Sequence, residues 1–321
     1  MMLSYIALTA LADRIRADEL AAVAAVLQAQ VIRDFAPEWG NGAVVAAFSF
    51  DAMPAGYIPL IVQDTLEAEG SNGFHRTRAD DTPYIVVPYG PTWSLAASHE
   101  LLRMLANPSG SARRPGPSRM PGQGTVEYLI DVCSPCQDIS AAYTIDGRPV
   151  SDFCTQAYFG SAYLGSSGQH YSFTGAVRET LEPLANGVVT WLADDALLYQ
   201  ARADGQGRVR VHGGFSPANR GRMLLREMVD TLTPERPSRL SNAPRTDRLV
   251  QAEQDARRVR LANMTRFRED IAWRFGHASV ITADPTPRPP ARRLKAYVAE
   301  RERSGQQRAS EEEETTVRTV S

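Results

Sequence analysis

The stretch that decides the fold is SHELLRMLANP (98–108). Its apolar residues recur at helical spacing and Asn107-Pro108 closes it, so we predict a helix over 93–105. On a helix, an adjacent His-Glu pair provides a zinc ligand and a general base, and a second ligand follows at i+4 from the histidine. Arg103 stands at that position behind His99 and Glu100. A guanidinium has no lone pair to donate, so the motif is incomplete as a zinc site.

A plainer interpretation of the same helix is an exposed, solvated face. His-Glu pairs occur by chance in many helices. Glu100 lies three residues before Arg103, which allows an intrahelical ion pair worth roughly a few tenths of a kcal/mol.

The segments before this helix predict an α+β fold. Apolar runs over 3–10, 43–50, 57–64 and 83–89 are typical of strands, and an amphipathic pattern up to Phe35 predicts a helix after the first strand. We interpret Gly70-Ser71-Asn72-Gly73 as a loop. The order strand, helix, three strands, helix is that of the upper half of a zincin catalytic domain. A mixed sheet with two main helices is the expected core.

The segments after the helix predict a loop, strands and a helical extension. A Pro/Gly/Ser/Arg-rich loop is expected over 108–123, strands over 127–133, 141–147 and 149–153, and a hairpin within 188–213. We therefore divide the chain into a zincin-like domain (1–215), a helical extension (216–281) and a Pro-rich linker with a short helix and a disordered acidic tail (282–321). Partial apolar stripes on the helices 217–231 and 245–275 indicate a protein partner or self-association.

The composition narrows the class of protein. The chain has 321 residues and a net charge of −2, which favours neither nucleic acid nor an anionic membrane. Uninterrupted apolar runs stay short of the ~18 residues that a membrane span needs. Three cysteines are too few, and odd in number, for a secreted disulfide scaffold. A cytoplasmic protein is expected.

Several segments together resemble a known family. They are LQAQVIRDFAPEWG (27–40), GFH (73–75), PYIVV (83–87), SHELLRMLANP (98–108), EYLIDVCSPCQ (127–137), YTIDGRPVSDF (143–153) and AYF (157–159). The chain is similar, over roughly residues 3–175, to bacterial and phage-associated hypothetical proteins that look like minimal zincins related to metallopeptidases. In that family a His-Glu-x-x-Glu helix ends in Asp-Pro, and an acidic segment, Glu-Val-Cys-Asp-Pro, follows some thirty residues later.

The resemblance implies a degenerate metal motif. His99 and Glu100 match the family, and Asp131 replaces a glutamate while keeping its charge. Four carboxylate positions have become other residues: Arg103, Asn107, Ser134 and Gln137. Such losses dismantle the anionic surroundings of a cation, so the expected state is without a catalytic metal, and zinc is the metal if one binds.

Other residues could belong to the same site. Cys133, Cys136 and Cys154 could give three thiolates to zinc or form a redox pair, but buried packing is the favoured interpretation. His75, on the loop before the third strand after the first helix, could face the cleft; a polar loop residue is the plainer interpretation.

Three functional hypotheses follow. The first is a metallopeptidase-related protein that is catalytically degenerate and acts as a binding or structural module. The second is an active metallopeptidase with atypical ligands, namely His99, Asp131 and either His75 or a cysteine, with Glu100 as base. The third, a component or cargo of a phage-like particle, rests on the resemblance alone.

Overall fold

The computed structural model describes residues 2–12, 14–64, 73–77, 82–160 and 170–216, together with Leu225, Met228 and Val229. All of them belong to the first of the two units into which the chain divides, Met1–Arg266. The predicted helices 217–231 and 245–275, and the whole of 282–321, lie outside the described residues apart from those three positions.

The first sheet is mixed and has five strands. They are β1 (Met2–Ala10), β2 (Asn41–Ala47), β3 (Ile58–Gln63), β4 (Phe74–Thr77) and β5 (Pro83–Pro88). The strands lie in the order β2-β1-β3-β5-β4, and β4 alone runs antiparallel to its neighbour. In this sheet, Ile6, Leu8, Leu60 and Val62 point into one core with the helices.

Two main helices pack on that core, which confirms the predicted α+β class. The first, α1 (Ala17–Ala29), continues through a π-helical turn, Gln30–Phe35, into the short α2 (Ala36–Trp39), which Gly40 ends in the left-handed region (φ 74°). The second is α3 (Trp93–Ala106). Within the described residues, Ala17–Trp39 is long and apolar enough to cross a membrane, yet more than half of its most apolar window is buried in the protein, as in a core helix.

A second, antiparallel sheet follows α3 in the chain. Along the sequence come β6 (Arg113–Pro117), β7 (Thr125–Leu129), the hairpin of β8 (Tyr143–Ile145) and β9 (Arg148–Val150), and then β10 (Val188–Leu192), β11 (Leu198–Ala203) and β12 (Val209–Phe215). The sheet order is β12-β11-β10-β7-β6. A separate core lies against this sheet and contains Tyr128, Trp191, Cys136, Cys154 and Tyr158.

Two short strands correct the sequence prediction. His75 lies on β4 and not on a loop, and β6 lies within the expected loop 108–123. Both strands are at sheet edges, where proline is tolerated and the apolar alternation of a central strand is not needed. The expected hairpin in 188–213 is a meander of three strands, whose second turn falls at 204–207 and contains Asp204-Gly205.

Candidate functional site

The helix α3 holds the candidate residues inside the protein. Every residue from Trp93 to Leu105 is buried. His99, Glu100 and Arg103 are each no more than 2% exposed. The interpretation of this helix as a solvated face is therefore wrong, because β4, β5 and the segment after β7 surround the face that carries the motif.

Arg103 joins two carboxylates that come from different parts of the chain. Its Nη1 donates to Oε1 of Glu100 at 2.6 Å, one turn back on α3. Its Nε lies 3.3 Å from Oδ1 of Asp131, which is close enough for an ion pair although it is not aligned as a hydrogen bond. The guanidinium thus connects α3 to the segment that follows β7.

Asp131 is held in place by the turn that follows it. The backbone N–H groups of Cys133 and Ser134 donate to its Oδ1 at 3.3 and 3.0 Å. Since these are local bonds within three residues, the carboxylate position is fixed by its own segment. Arg103 meets a preformed acceptor.

His75 approaches Glu100 from the strand β4. Its Nδ1 lies 3.3 Å from Oε2 of Glu100, and its ring is 3% exposed. Gly73 makes this approach possible: at φ 134°, a Cβ there would lie 2.9 Å from Cγ1 of Val87 and 3.2 Å from Cγ of Glu100. A larger residue would push the start of β4 away from α3.

His99 lies beside the same carboxylate at longer range. Its Nε2 is 3.9 Å from Oε1 of Glu100. Within the described part of the chain, no group of three or more His, Cys, Asp or Glu side chains has the arrangement of a metal site. The structure brings His75 and His99 to Glu100, and Arg103 connects Glu100 to Asp131.

The electrostatics of Glu100 follow from this arrangement. Burial by itself would raise the pKa of its carboxyl group. The positive charge of Arg103, the hydrogen bond from His75 and the nearby imidazoles outweigh burial and hold the pKa of Glu100 well below its usual range. Glu100 is ionised at neutral pH and is already paired, so it does not have the raised pKa or free lone pairs of a poised general base.

Asn107 and Gln137, at two positions where the resemblance predicts a carboxylate, use donors that a carboxylate lacks. Nδ2 of Asn107 donates to the carbonyl oxygens of Ile130 (3.1 Å) and Ala112 (3.3 Å), and its Oδ1 accepts from the Ala112 N–H. Nε2 of Gln137 donates to the Asn186 carbonyl. An ionised Asp or Glu could make none of these donations.

The three cysteines are free thiols packed in the interior. All three are buried, and Cys133 belongs to the first core while Cys136 and Cys154 belong to the second. Burial raises the pKa of Cys154 to about 11. It also raises the pKa values of Cys133 and Cys136 well above the ordinary value of a thiol. Their thiolate forms, which metal binding and redox attack both need, are disfavoured.

A buried polar network beside α3 was not predicted from the sequence. Ser98 Oγ donates to Gln30 Oε1 (2.6 Å), Gln30 Nε2 donates to the Ser151 carbonyl and to Tyr143, and Tyr143 donates to Asp34. Gln30 and Asp34 lie in the π-helical turn. The partners are up to 121 residues apart, so no local spacing could have revealed them.

A second missed feature is the buried carboxylate of Asp152. It accepts from the N–H of Phe153, from the N–H of Thr174 and from the Thr174 hydroxyl at 2.9, 3.0 and 2.7 Å. Burial raises the pKa of Asp152 to about 6, against the opposing effect of these donors. The sequence placed Asp152 only within a strand and offered no sign of burial.

No protein-family model, no curated protein and no solved structure matches this chain.

Proposed function

We propose that this protein is a zincin-like, metallopeptidase-related protein that has lost catalysis and acts as a binding or structural module. The observation that carries the proposal is the position of Arg103. Its guanidinium is buried between Glu100 and Asp131, the two carboxylates that a metal site would need as base and ligand.

The order of elements supports the zincin likeness. A strand, a helix, further strands and a second helix follow one another from β1 to α3. The helix that comes directly after the sheet carries His99 and Glu100, as the metal helix of a zincin would. The edge strand β4 brings His75 to the same helix.

The residues present do not fit a catalytic zinc ion. A divalent cation near His99 would need oxygen ligands that are ionised and free to coordinate. Glu100 and Asp131 are already paired with a guanidinium, and that group would repel a second cation within a few ångströms. The cation that neutralises these carboxylates is therefore a side chain of the protein.

The altered positions support loss of catalysis over a shift of ligands. Asn107 connects the end of α3 to Ile130, and Gln137 donates to the segment before β10. Each residue makes a bond that the expected carboxylate could not make. Such substitutions stabilise the present fold and remove negative charge from the surroundings of His99.

An active metallopeptidase with atypical ligands is the second candidate, and one observation favours it. Nε2 of His75 is buried and makes no hydrogen bond within the described residues. Its other ring nitrogen faces Glu100. A histidine whose second nitrogen is held by a carboxylate resembles a metal ligand. In this candidate His75 joins His99 and Asp131 as ligands.

Metal analysis of the purified protein separates the two candidates. We expect far less than one zinc per chain, with the same content in wild type and in His99→Ala. As a matched control, His212→Ala changes an exposed histidine on β12. Near-stoichiometric zinc that His99→Ala removes and His212→Ala retains would overturn the degenerate assignment in favour of the metallopeptidase.

A further inference from the structure

In the part of the chain that the structure describes, the strand β12 forms an open edge of the second sheet. Within the described residues its strand partner is β11, and all residues from Arg210 to Gly214 are exposed. An exposed edge strand presents unpaired backbone N–H and C=O groups to any extended chain that approaches it.

The opposite edge of the same sheet is closed to such pairing. It is formed by β6, which contains Pro115 and Pro117. Proline has no N–H to donate, so β6 cannot offer a regular ladder to another strand. The two edges of one sheet therefore differ in their capacity to bind a partner chain.

Positive charge is concentrated at the open edge. Arg202 on β11 lies directly opposite Arg210 on β12, and His212 follows on the same face opposite Gln200. The Arg202 guanidinium donates to Oε1 of Gln200, whereas Arg210 is exposed on β12. Partial burial and then the charges of Arg202 and Arg210 lower the pKa of His212. An anionic group placed beside β12 would be attracted by the charges of these two arginines.

The other face of β12 is apolar. Val209 and Val211 alternate with Arg210 and His212 along the strand, and Val211 is 40% exposed. Because successive side chains of a strand point to opposite faces, a complementary strand would alternate in the same way. It would present acidic residues on the arginine face and β-branched residues on the valine face.

We propose that β12 is a docking edge for an extended segment of a partner protein in which acidic and β-branched residues alternate. The segment adds as a sixth strand beside β12, with main-chain hydrogen bonds for affinity and carboxylates facing Arg210 and His212 for specificity. A second copy of this chain is a poorer occupant. Symmetric pairing of two β12 strands would place Arg210 and His212 of one copy beside the same basic residues of the other. Nucleic acid is poorer too, because the edge carbonyls would face phosphate oxygens.

The proposal is tested on the full-length protein with a labelled peptide of alternating glutamate and valine. We expect saturable binding in fluorescence anisotropy that weakens as salt is added, and at least about tenfold weaker binding by Arg210→Glu. Arg113→Glu, an exposed arginine on β6, is the matched control and should bind like wild type. Two altered peptides should each bind at least about tenfold more weakly than the original. One has glutamine in place of glutamate, and the other has proline in place of valine. Binding of the original peptide should also raise the pKa of His212 as followed by NMR.

Other results would overturn the proposal. Equal loss of binding in Arg210→Glu and Arg113→Glu would show general attraction to an acidic peptide. If wild type does not bind the glutamate peptide more tightly than the glutamine peptide, Arg210 and His212 do not recognise acidic residues. Their role would then be to prevent other strands from pairing with β12. Concentration-dependent dimerisation, or duplex DNA binding, that Arg210→Glu abolishes while the peptide stays unbound would assign the edge to a different occupant.

Discussion

Glu100 and Asp152 are both buried carboxylates, but they are stabilised in opposite ways. Each is 1% exposed. Glu100 meets a guanidinium at 2.6 Å, whereas Asp152 is held by backbone N–H groups and hydroxyl donors that carry no charge. The pKa of Glu100 falls well below its usual range, and the pKa of Asp152 rises to about 6.

The difference shows what a buried cation contributes in this protein. Neutral donors offset only part of the loss of hydration at Asp152, while the charge of Arg103 more than offsets it at Glu100. The buried Glu100 carboxylate beside His75 and His99 therefore depends on a nearby positive charge. The guanidinium of Arg103, which is part of the protein chain itself, provides that charge.

The largest expected effect is the loss of that charge. Arg103→Met keeps the length of the side chain but leaves Glu100 and Asp131 buried without their counter-ion. We expect the free energy of unfolding to fall by about 3–5 kcal/mol, measured by urea denaturation. Arg16→Met, which removes an exposed pair with Asp18, is the control and should change stability little. Similar small losses in both variants would contradict a structural role for Arg103.

A smaller effect is expected at the uncharged network. Thr174→Val removes the hydroxyl that donates to Oδ2 of Asp152 at 2.7 Å and keeps the shape of the side chain. The free energy of unfolding should fall by about 1–2 kcal/mol. Thr125→Val, at an exposed position on β7, should be close to neutral. If the two valine variants are equally stable, the Thr174 hydroxyl does not support Asp152.

The smallest effect is a pH dependence with opposite signs in the two regions. The pKa of Asp152 is raised in the folded state, so its contribution to stability is complete below 3.8 and is lost as the pH rises through about 6. The pKa of Glu100 is lowered, so its contribution is present above 4.5 and is lost as the pH falls below that value.

Between pH 5 and 7 we therefore expect the Asp152 contribution to decrease by about 1 kcal/mol. Denaturation curves of wild type and Asp152→Asn at the two pH values measure the Asp152 contribution. Asparagine does not titrate, so the variant should lack this part of the pH dependence. An unchanged pH difference in Asp152→Asn would mean that another group is responsible.

The fold was predictable where local patterns are strong. The apolar runs predicted the bounds of β1, β3 and β5 to within a few residues. The helical spacing did the same for α3. The edge strands β4 and β6 were missed, because edge strands lack apolar alternation and β6 contains two prolines. Their partners in β5 and β7 fix them through tertiary pairing.

The site was predictable in its membership but not in its contacts. The spacing placed His99, Glu100 and Arg103 on one helix, and the ion pair between Glu100 and Arg103 is present. Helical spacing could not show that the pair is buried or that Asp131 is its third member, since that contact joins α3 to the segment that follows β7. The Asp152–Thr174 bond joins residues 22 positions apart and has no local signal.

The most direct test of the central claim is thermal unfolding of wild type and Arg103→Glu, each with zinc and with a chelator. If the Arg103 side chain is the cation that neutralises Glu100 and Asp131, the Tm of wild type is the same in both conditions. Arg103→Glu, which adds a third buried carboxylate beside Glu100 and Asp131, should have a lowered Tm in chelator that zinc raises again. A wild-type Tm that zinc raises and the chelator lowers would show that a metal, and not Arg103, neutralises these carboxylates.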